Sequence, residues 1–95
     1  MTKQLPDFNF GEAIGLMKMG HKVSRKGWNG KGIYIALHKP EDEMMTQPFI
    51  YINTTGLITD NEDAPKSLVP WLASQTDMLA EDWCFYDNAK VVIYD

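Results

Sequence analysis

Two stretches of this 95-residue chain carry side chains suited to gripping a ligand, and neither follows simple core patterning. The first is Arg25-Lys26-Gly27-Trp28-Asn29-Gly30-Lys31-Gly32. Its three glycines permit positive φ and close backbone approach, with Gly30 at the centre. Successive amides in such a turn can cradle an anion, and Arg25, Lys26 and Lys31 add positive charge. Trp28 offers a flat face for stacking a purine, and the Asn29 amide can read a base or ribose edge. The stretch lacks the Gly-Lys-Ser/Thr ending of a phosphate loop. The plain alternative is a sharp β-connection with a core tryptophan and solvated lysines.

The second stretch runs from Val69 to Trp83. Pro70 stiffens the approach and sets Val69 extended, which holds Trp71 in a defined place. Ser74, Gln75, Thr76 and Asp77 then put four hydrogen-bonding side chains in a row. Their plain reading is a cap on a short helical turn reaching Ala80. If folding joins the two stretches, Trp28 and Trp71 can enclose an aromatic ligand, with Ser74, Thr76 and Asp77 beside it.

Catalysis and metal binding find little support in the residue types. His21 and His38 stand without a nearby cysteine, nucleophile turn or His-x-x-x-His spacing. The acidic runs 41–43 and 60–63 lack the EF-hand spacing and read as solvated loops. Cys84, the one cysteine, lies between Trp83 and Phe85 and reads as a small buried hydrophobe. No catalytic residue, metal ligand or cofactor is therefore expected.

The elements that must position these residues follow from periodicity. Asn9 and Glu12 form a capping box, and Phe10, Ala13, Ile14 and Met17 recur at helical spacing. Gly20 closes that helix, with Phe8 just ahead of its cap. About three turns cannot stand alone, so the helix must pack on a sheet. Strands are expected at 22–25, 33–38, 49–52, 57–59 and 83–86, with a last one at 91–94 forming a terminal hairpin. Residues 1–7 read as a loose arm, 60–67 as an acidic loop and 87–95 as an extension. The expected fold is one α+β domain, 1–95, with an N-terminal helix on a small antiparallel sheet of about five strands.

Composition narrows the function classes. The net charge is −4, yet six of the nine basic residues fall between Glu12 and Glu41, where there is no acid. An acidic body with one basic stretch suits a localised anion site better than a nucleic-acid surface. Three Trp, four Tyr and four Phe are many for a chain that buries only about two-thirds of its surface on folding. Surplus rings of this kind serve a pocket or a subunit interface. There is no apolar run long enough for a signal peptide or membrane helix, so a cytoplasmic location is expected.

The helix Asn-Phe-Gly-Glu-Ala, the stretch Val-Ser-Arg-Lys-Gly-Trp-Asn-Gly-Lys-Gly and the long motif Val-Pro-Trp-Leu-Ala-Ser-Gln-Thr-Asp-Met-Leu-Ala-Glu-Asp-Trp together resemble the second Thoeris anti-defence family. These are phage and prophage proteins first catalogued as a domain of unknown function, and the likeness spans about residues 8–86. The resemblance implies a sponge. In Thoeris defence a TIR-domain enzyme makes a cyclic ADP-ribose isomer that activates a killing effector. The family binds this glycocyclic ADP-ribose in the host cytoplasm and holds it uncleaved. It also implies a homotetramer with sites where protomers meet, and for some members cyclic dinucleotides at other sites. Carried onto this sequence, the ligand-binding set is Arg25, Lys26, Trp28, Asn29, Gly30, Lys31, Trp71, Ser74, Thr76 and Asp77. The rival readings are an enzyme cleaving the same nucleotide, a single-stranded nucleic-acid module and a protein adaptor.

Overall fold

The computed structural model describes residues 7–28, 31–41, 45–58, 63 and 66–86. Within them an N-terminal helix, α1 (Phe10–Lys18), is followed by β1 (Val23–Arg25), β2 (Tyr34–His38), β3 (Phe49–Asn53), β4 (Leu68–Pro70), a one-turn helix α2 (Gln75–Leu79) and β5 (Trp83–Phe85). The five strands form one sheet in the order β4-β3-β2-β1-β5, every pair antiparallel. The class is α+β, as the sequence leads one to expect.

The local reasons for α1 are those of its sequence. Asn9 Oδ1 accepts from the Glu12 amide at 2.8 Å, and Glu12 Oε1 accepts from the Asn9 amide at 3.1 Å. This satisfies two otherwise orphaned donors. At the other end Gly20 takes φ +97°, its amide donating to the Met17 carbonyl and that of His21 to Leu16. That is a Schellman stop, which favours glycine because an L side chain resists positive φ. The stripe expected to face the sheet does so. Ala13 and Met17 join Val23, Ile35, Phe8 and Trp83 in the buried core, with Phe10 and Ile14 packed at its margin.

Four strands run as a meander, and the fifth returns to lie beside the first. This return decides where the functional stretches meet. In the β1–β5 register Arg25 stands opposite Trp83, Ser24 opposite Cys84 and Val23 opposite Phe85. The start of the glycine stretch is thereby set against the end of the 69–83 stretch. Side chains alternate across a strand, so Val23, Ile35 and Trp83 point toward α1 while Ser24, Ala36 and Cys84 occupy the other face.

One strand expectation is corrected, and one strand appears where none is expected. Of the expected strand 57–59, the described residues Leu57 and Ile58 do not make a strand. The described part forms a single bridge, Ile58 to Lys31, and the Ile58 side chain is 69% exposed with no apolar face to bury. The backbones around that bridge approach closely. Gly32 sits at φ +87°, and a Cβ there would collide with the Gly56 carbonyl oxygen. In place of 57–59, Leu68–Pro70 supplies the fourth strand, pairing Ile52 with Val69 and Tyr51 with Pro70. Proline is tolerated there because β4 is an edge. The expected strand 91–94, residues 1–6 of the arm 1–7 and the extension 87–95 lie outside the described residues, and β5 pairs with β1.

Candidate functional site

Trp83 is the floor of the place where the two stretches meet. Its side chain is wholly buried, and three rings stand edge-on or tilted around it. Trp28 lies at 5.5 Å between centroids, Trp71 at 6.2 Å and Phe10 at 5.3 Å. The first two are near perpendicular to it, at 80° and 81°, the edge-to-face geometry favoured by ring quadrupoles. Trp28 and Trp71 are both half-buried, so each has one part in the core and another at the surface. The Trp83 indole N–H donates to the Asp77 carbonyl at 2.9 Å, which fixes the floor to α2.

A polar clamp closes over this aromatic cluster. Arg25 Nη1 donates to Asp77 Oδ1 at 2.9 Å and Arg25 Nε to Asp82 Oδ1 at 2.8 Å. Asp77 Oδ1 also accepts the Trp28 indole N–H at 3.4 Å, and Asp82 Oδ2 accepts the Gly27 amide at 2.7 Å. The second oxygen of Asp77 accepts from the Ser74 amide and hydroxyl, while Ser74 Oγ accepts from the Asp77 amide. One carboxylate thus caps α2, holds an arginine and orients a tryptophan. A Cβ at position 27 would stand 2.6 Å from Asp82 Oδ2, so any larger residue there must displace that carboxylate.

The electrostatics follow from this wiring. Burial pushes the Asp77 carboxyl up, but hydrogen bonds from Ser74, Arg25 and Trp28 outweigh it and hold the group below the ordinary range. Burial likewise opposes ionisation of Asp82, and the bonds from Arg25 and the Gly27 amide overcome it. The Arg25 guanidinium is pushed up, first by its bond to Asp82, against the cost of burial. The cluster is therefore ionised throughout.

The expected site residues divide accordingly. Arg25, Trp28, Trp71, Ser74 and Asp77 are brought together around Trp83. Lys26 pairs with Asp7 at 2.7 Å, and its amide donates to the Asp82 carbonyl at 3.1 Å. Lys31 is exposed, its Nζ 3.2 Å from the Lys26 carbonyl oxygen. Thr76 is exposed on the first turn of α2. Asn29 and Gly30 lie outside the described residues. Sequence reasoning did not place Trp83, Asp82 and Phe10 in the site. The signal for Trp83 and Asp82 was the Glu-Asp-Trp ending of the second stretch, and that for Phe10 was its place just after the helix cap. Among the described residues no group of three His, Cys, Asp or Glu could hold a metal ion, and no helix is long and apolar enough to cross a membrane.

Comparison with known proteins selects the same stretch of chain. The sequence pattern of the Thoeris anti-defense 2-like domain matches residues 8–86. The chain is also 40% identical over 81 residues to Thoeris anti-defense 2 of Bacillus phage SP01, an overlap of 79% of this chain and 90% of that protein.

Proposed function

The chain belongs to the Thoeris anti-defense 2-like family, and we propose that it blocks Thoeris defence by binding and sequestering a TIR-made glycocyclic ADP-ribose without cleaving it. The observation that best supports this is the meeting of Trp28 and Trp71 on Trp83. Two half-exposed indoles on a rigid floor suit an adenine ring, because stacking needs flat faces held in place. The ligand set is the one named from the sequence. Trp28 and Trp71 take the base, while Lys31, Lys26 and the glycine-stretch amides, with Gly30, take the pyrophosphate. Asn29 and Thr76 take riboses, framed by Arg25, Ser74 and Asp77. In this reading the protein acts as a homotetramer in the host cytoplasm. Cyclic dinucleotides are a further class of ligand to offer it in the same assay.

A sponge must outcompete the effector. Against an effector binding at about 100 nM it needs a Kd near 1 nM, about 12 kcal/mol of binding free energy. Storage is favoured over turnover by the state of the acids. Hydrogen bonds from Ser74 and Arg25 to Asp77, and from Arg25 and the Gly27 amide to Asp82, outweigh burial and hold both carboxyls below the usual range, and a carboxylate so stabilised is a weak general base.

The experiment is calorimetry with 1″–3′ and 1″–2′ glycocyclic ADP-ribose, followed by heating the complex and mass spectrometry of what is released. Intact ligand is expected, with binding unaffected by EDTA. Trp28→Ala or Trp71→Ala should each weaken binding by about 1–3 kcal/mol, by analogy with base–aromatic stacking. Time-dependent appearance of ADP-ribose would falsify sequestration. Normal binding by both variants would place the ligand elsewhere.

A further inference from the structure

Arg25 lies in the basic stretch from which a phosphate contact is expected, yet its guanidinium is taken up by two carboxylates. Nη1 lies 2.9 Å from Asp77 Oδ1 and Nε 2.8 Å from Asp82 Oδ1, and the side chain is only 15% exposed. One cation set between two anions leaves the spot negative, so a pyrophosphate brought to Arg25 meets repulsion from Asp77 and Asp82. Both carboxylates also hold a second group of the glycine stretch. Asp77 Oδ1 accepts the Trp28 indole N–H and Asp82 Oδ2 the Gly27 amide. Through Arg25 these two acceptors, five residues apart on the second stretch, are locked at one spacing.

Resting on the binding reading above, we infer that Arg25 is a positioning residue. By bridging Asp77 and Asp82 it sets the Trp28 ring and the Gly27 amide against the 71–83 stretch, and it makes no contact with ligand phosphate. The role needs a planar fork that serves two carboxylates at once, which the single ammonium of lysine does not offer. Lys31 is the contrasting cation. Its ammonium is exposed on the Lys26 carbonyl oxygen, a contact that an incoming anion displaces at small cost.

The test compares Arg25→Lys, Arg25→Ala, Asp82→Asn and Lys31→Gln with the unaltered chain. The probe is 1″–3′ glycocyclic ADP-ribose, titrated at several ionic strengths. Positioning makes Arg25→Lys lose affinity about as far as Arg25→Ala, roughly tenfold or more, with the salt dependence of the remaining binding unchanged. Asp82→Asn should also weaken binding. Whichever way its amide turns, one partner, Arg25 Nε or the Gly27 N–H, then faces a second donor. Lys31→Gln should flatten the salt dependence. A phosphate-bound Arg25 gives the reverse: Arg25→Lys binds nearly as the unaltered chain does, Arg25→Ala flattens the salt response, and Asp82→Asn tightens binding by removing a nearby negative charge. That pattern overturns the inference.

A second readout needs no ligand. The indole N–H proton resonance of Trp28 in the free protein should move in Arg25→Lys, because the Asp77 acceptor loses its anchor. An unmoved resonance in that variant also overturns the inference. Should the unaltered chain bind no probe, the sequestration reading fails while the indole resonance still decides what Arg25 does. If Arg25→Ala does not fold, Arg25→Lys and Asp82→Asn carry the test.

Discussion

The two ends of the sheet are built differently. At the β1–β5 end Val23, Cys84 and Trp83 are wholly buried, Ser24 is 1% exposed, and the clamp of Arg25, Asp77 and Asp82 lies beside Trp83. At the β3–β4 end no residue of either strand is fully buried, and Leu68 and Val69 are 59% and 44% exposed. There Ile50, Phe49 and Pro48 line a groove of about 390 Å³ with Ile14, Met17 and Leu37. The cause is the reach of α1, which among the described residues packs chiefly on β1, β2 and β5. Full burial is concentrated at the β1–β5 end of the sheet, while exposed apolar side chains occur both on β4 and on α2, where Leu79 and Met78 are 79% and 46% exposed.

The largest effect should come from the floor of the site. Trp83→Ala removes a fully buried indole, and with it the surface on which Trp28 and Trp71 rest. Such truncations cost about 3–5 kcal/mol, most of the margin of a small domain. Ile50→Ala, at the half-buried end, should cost less than half as much. Urea denaturation of the two variants measures this, and equal losses would show that the ends are equally packed.

Next in size is the response to pH, which should differ between the ends. Asp77 and Asp82 have folded pKa values below their unfolded ones. Their contribution is present above the ordinary carboxylate range near pH 4 and is lost as pH falls through the lowered folded values. At the far end Tyr51 is pushed up, first by burial and then by Tyr34. Its contribution is present below the usual tyrosine range and is lost as pH rises through the raised value. Acid should therefore release the clamp first, seen as a shift of the Trp28 indole resonance. Alkali should act first on Tyr51, seen in tyrosinate absorbance. Simultaneous change of both signals at either extreme would mean that the two ends unfold as one.

Much of this contrast could be read in the residues, and the unread part has a physical cause. Capping boxes are local, so Asn9 with Glu12 and Ser74 with Asp77 announced both helices correctly. Alternation of Ile33, Ile35 and Leu37 marked β2 for the same reason. Pairing across many residues is not local. Arg25 meets Asp82 fifty-seven positions away, and nothing in spacing distinguishes a ligand-facing arginine from one neutralised within the fold. Val69 and Pro70 read from sequence as a stiff, extended approach and not as a strand, because Leu68–Pro70 is too short to show a period. Nothing in its spacing marks Trp83 as a site residue, since a tryptophan inside a strand looks like any core residue until its neighbours are known.

The smallest effect on a single chain should come from the most exposed apolar side chains. Leu72, which follows β4, is 91% exposed, and Leu68 on β4 is 59% exposed. Side chains already in water in the folded state lose little on truncation, so Leu68→Thr with Leu72→Ser should change the stability of the dissociated chain by at most about 0.5 kcal/mol. In an assembly the same changes have a different signature. If the proposed tetramer covers this end, its stability includes a mass-action part that grows with protein concentration. The double variant should then lose the concentration dependence of Tm and sediment as a smaller species, while the Trp28 indole resonance of the free chain stays in place. A stability loss well above 1 kcal/mol that is independent of concentration would mean these leucines are packed within the chain. An unchanged sedimentation coefficient would put the subunit contacts elsewhere, and the exposed far end would then be a surface without that role.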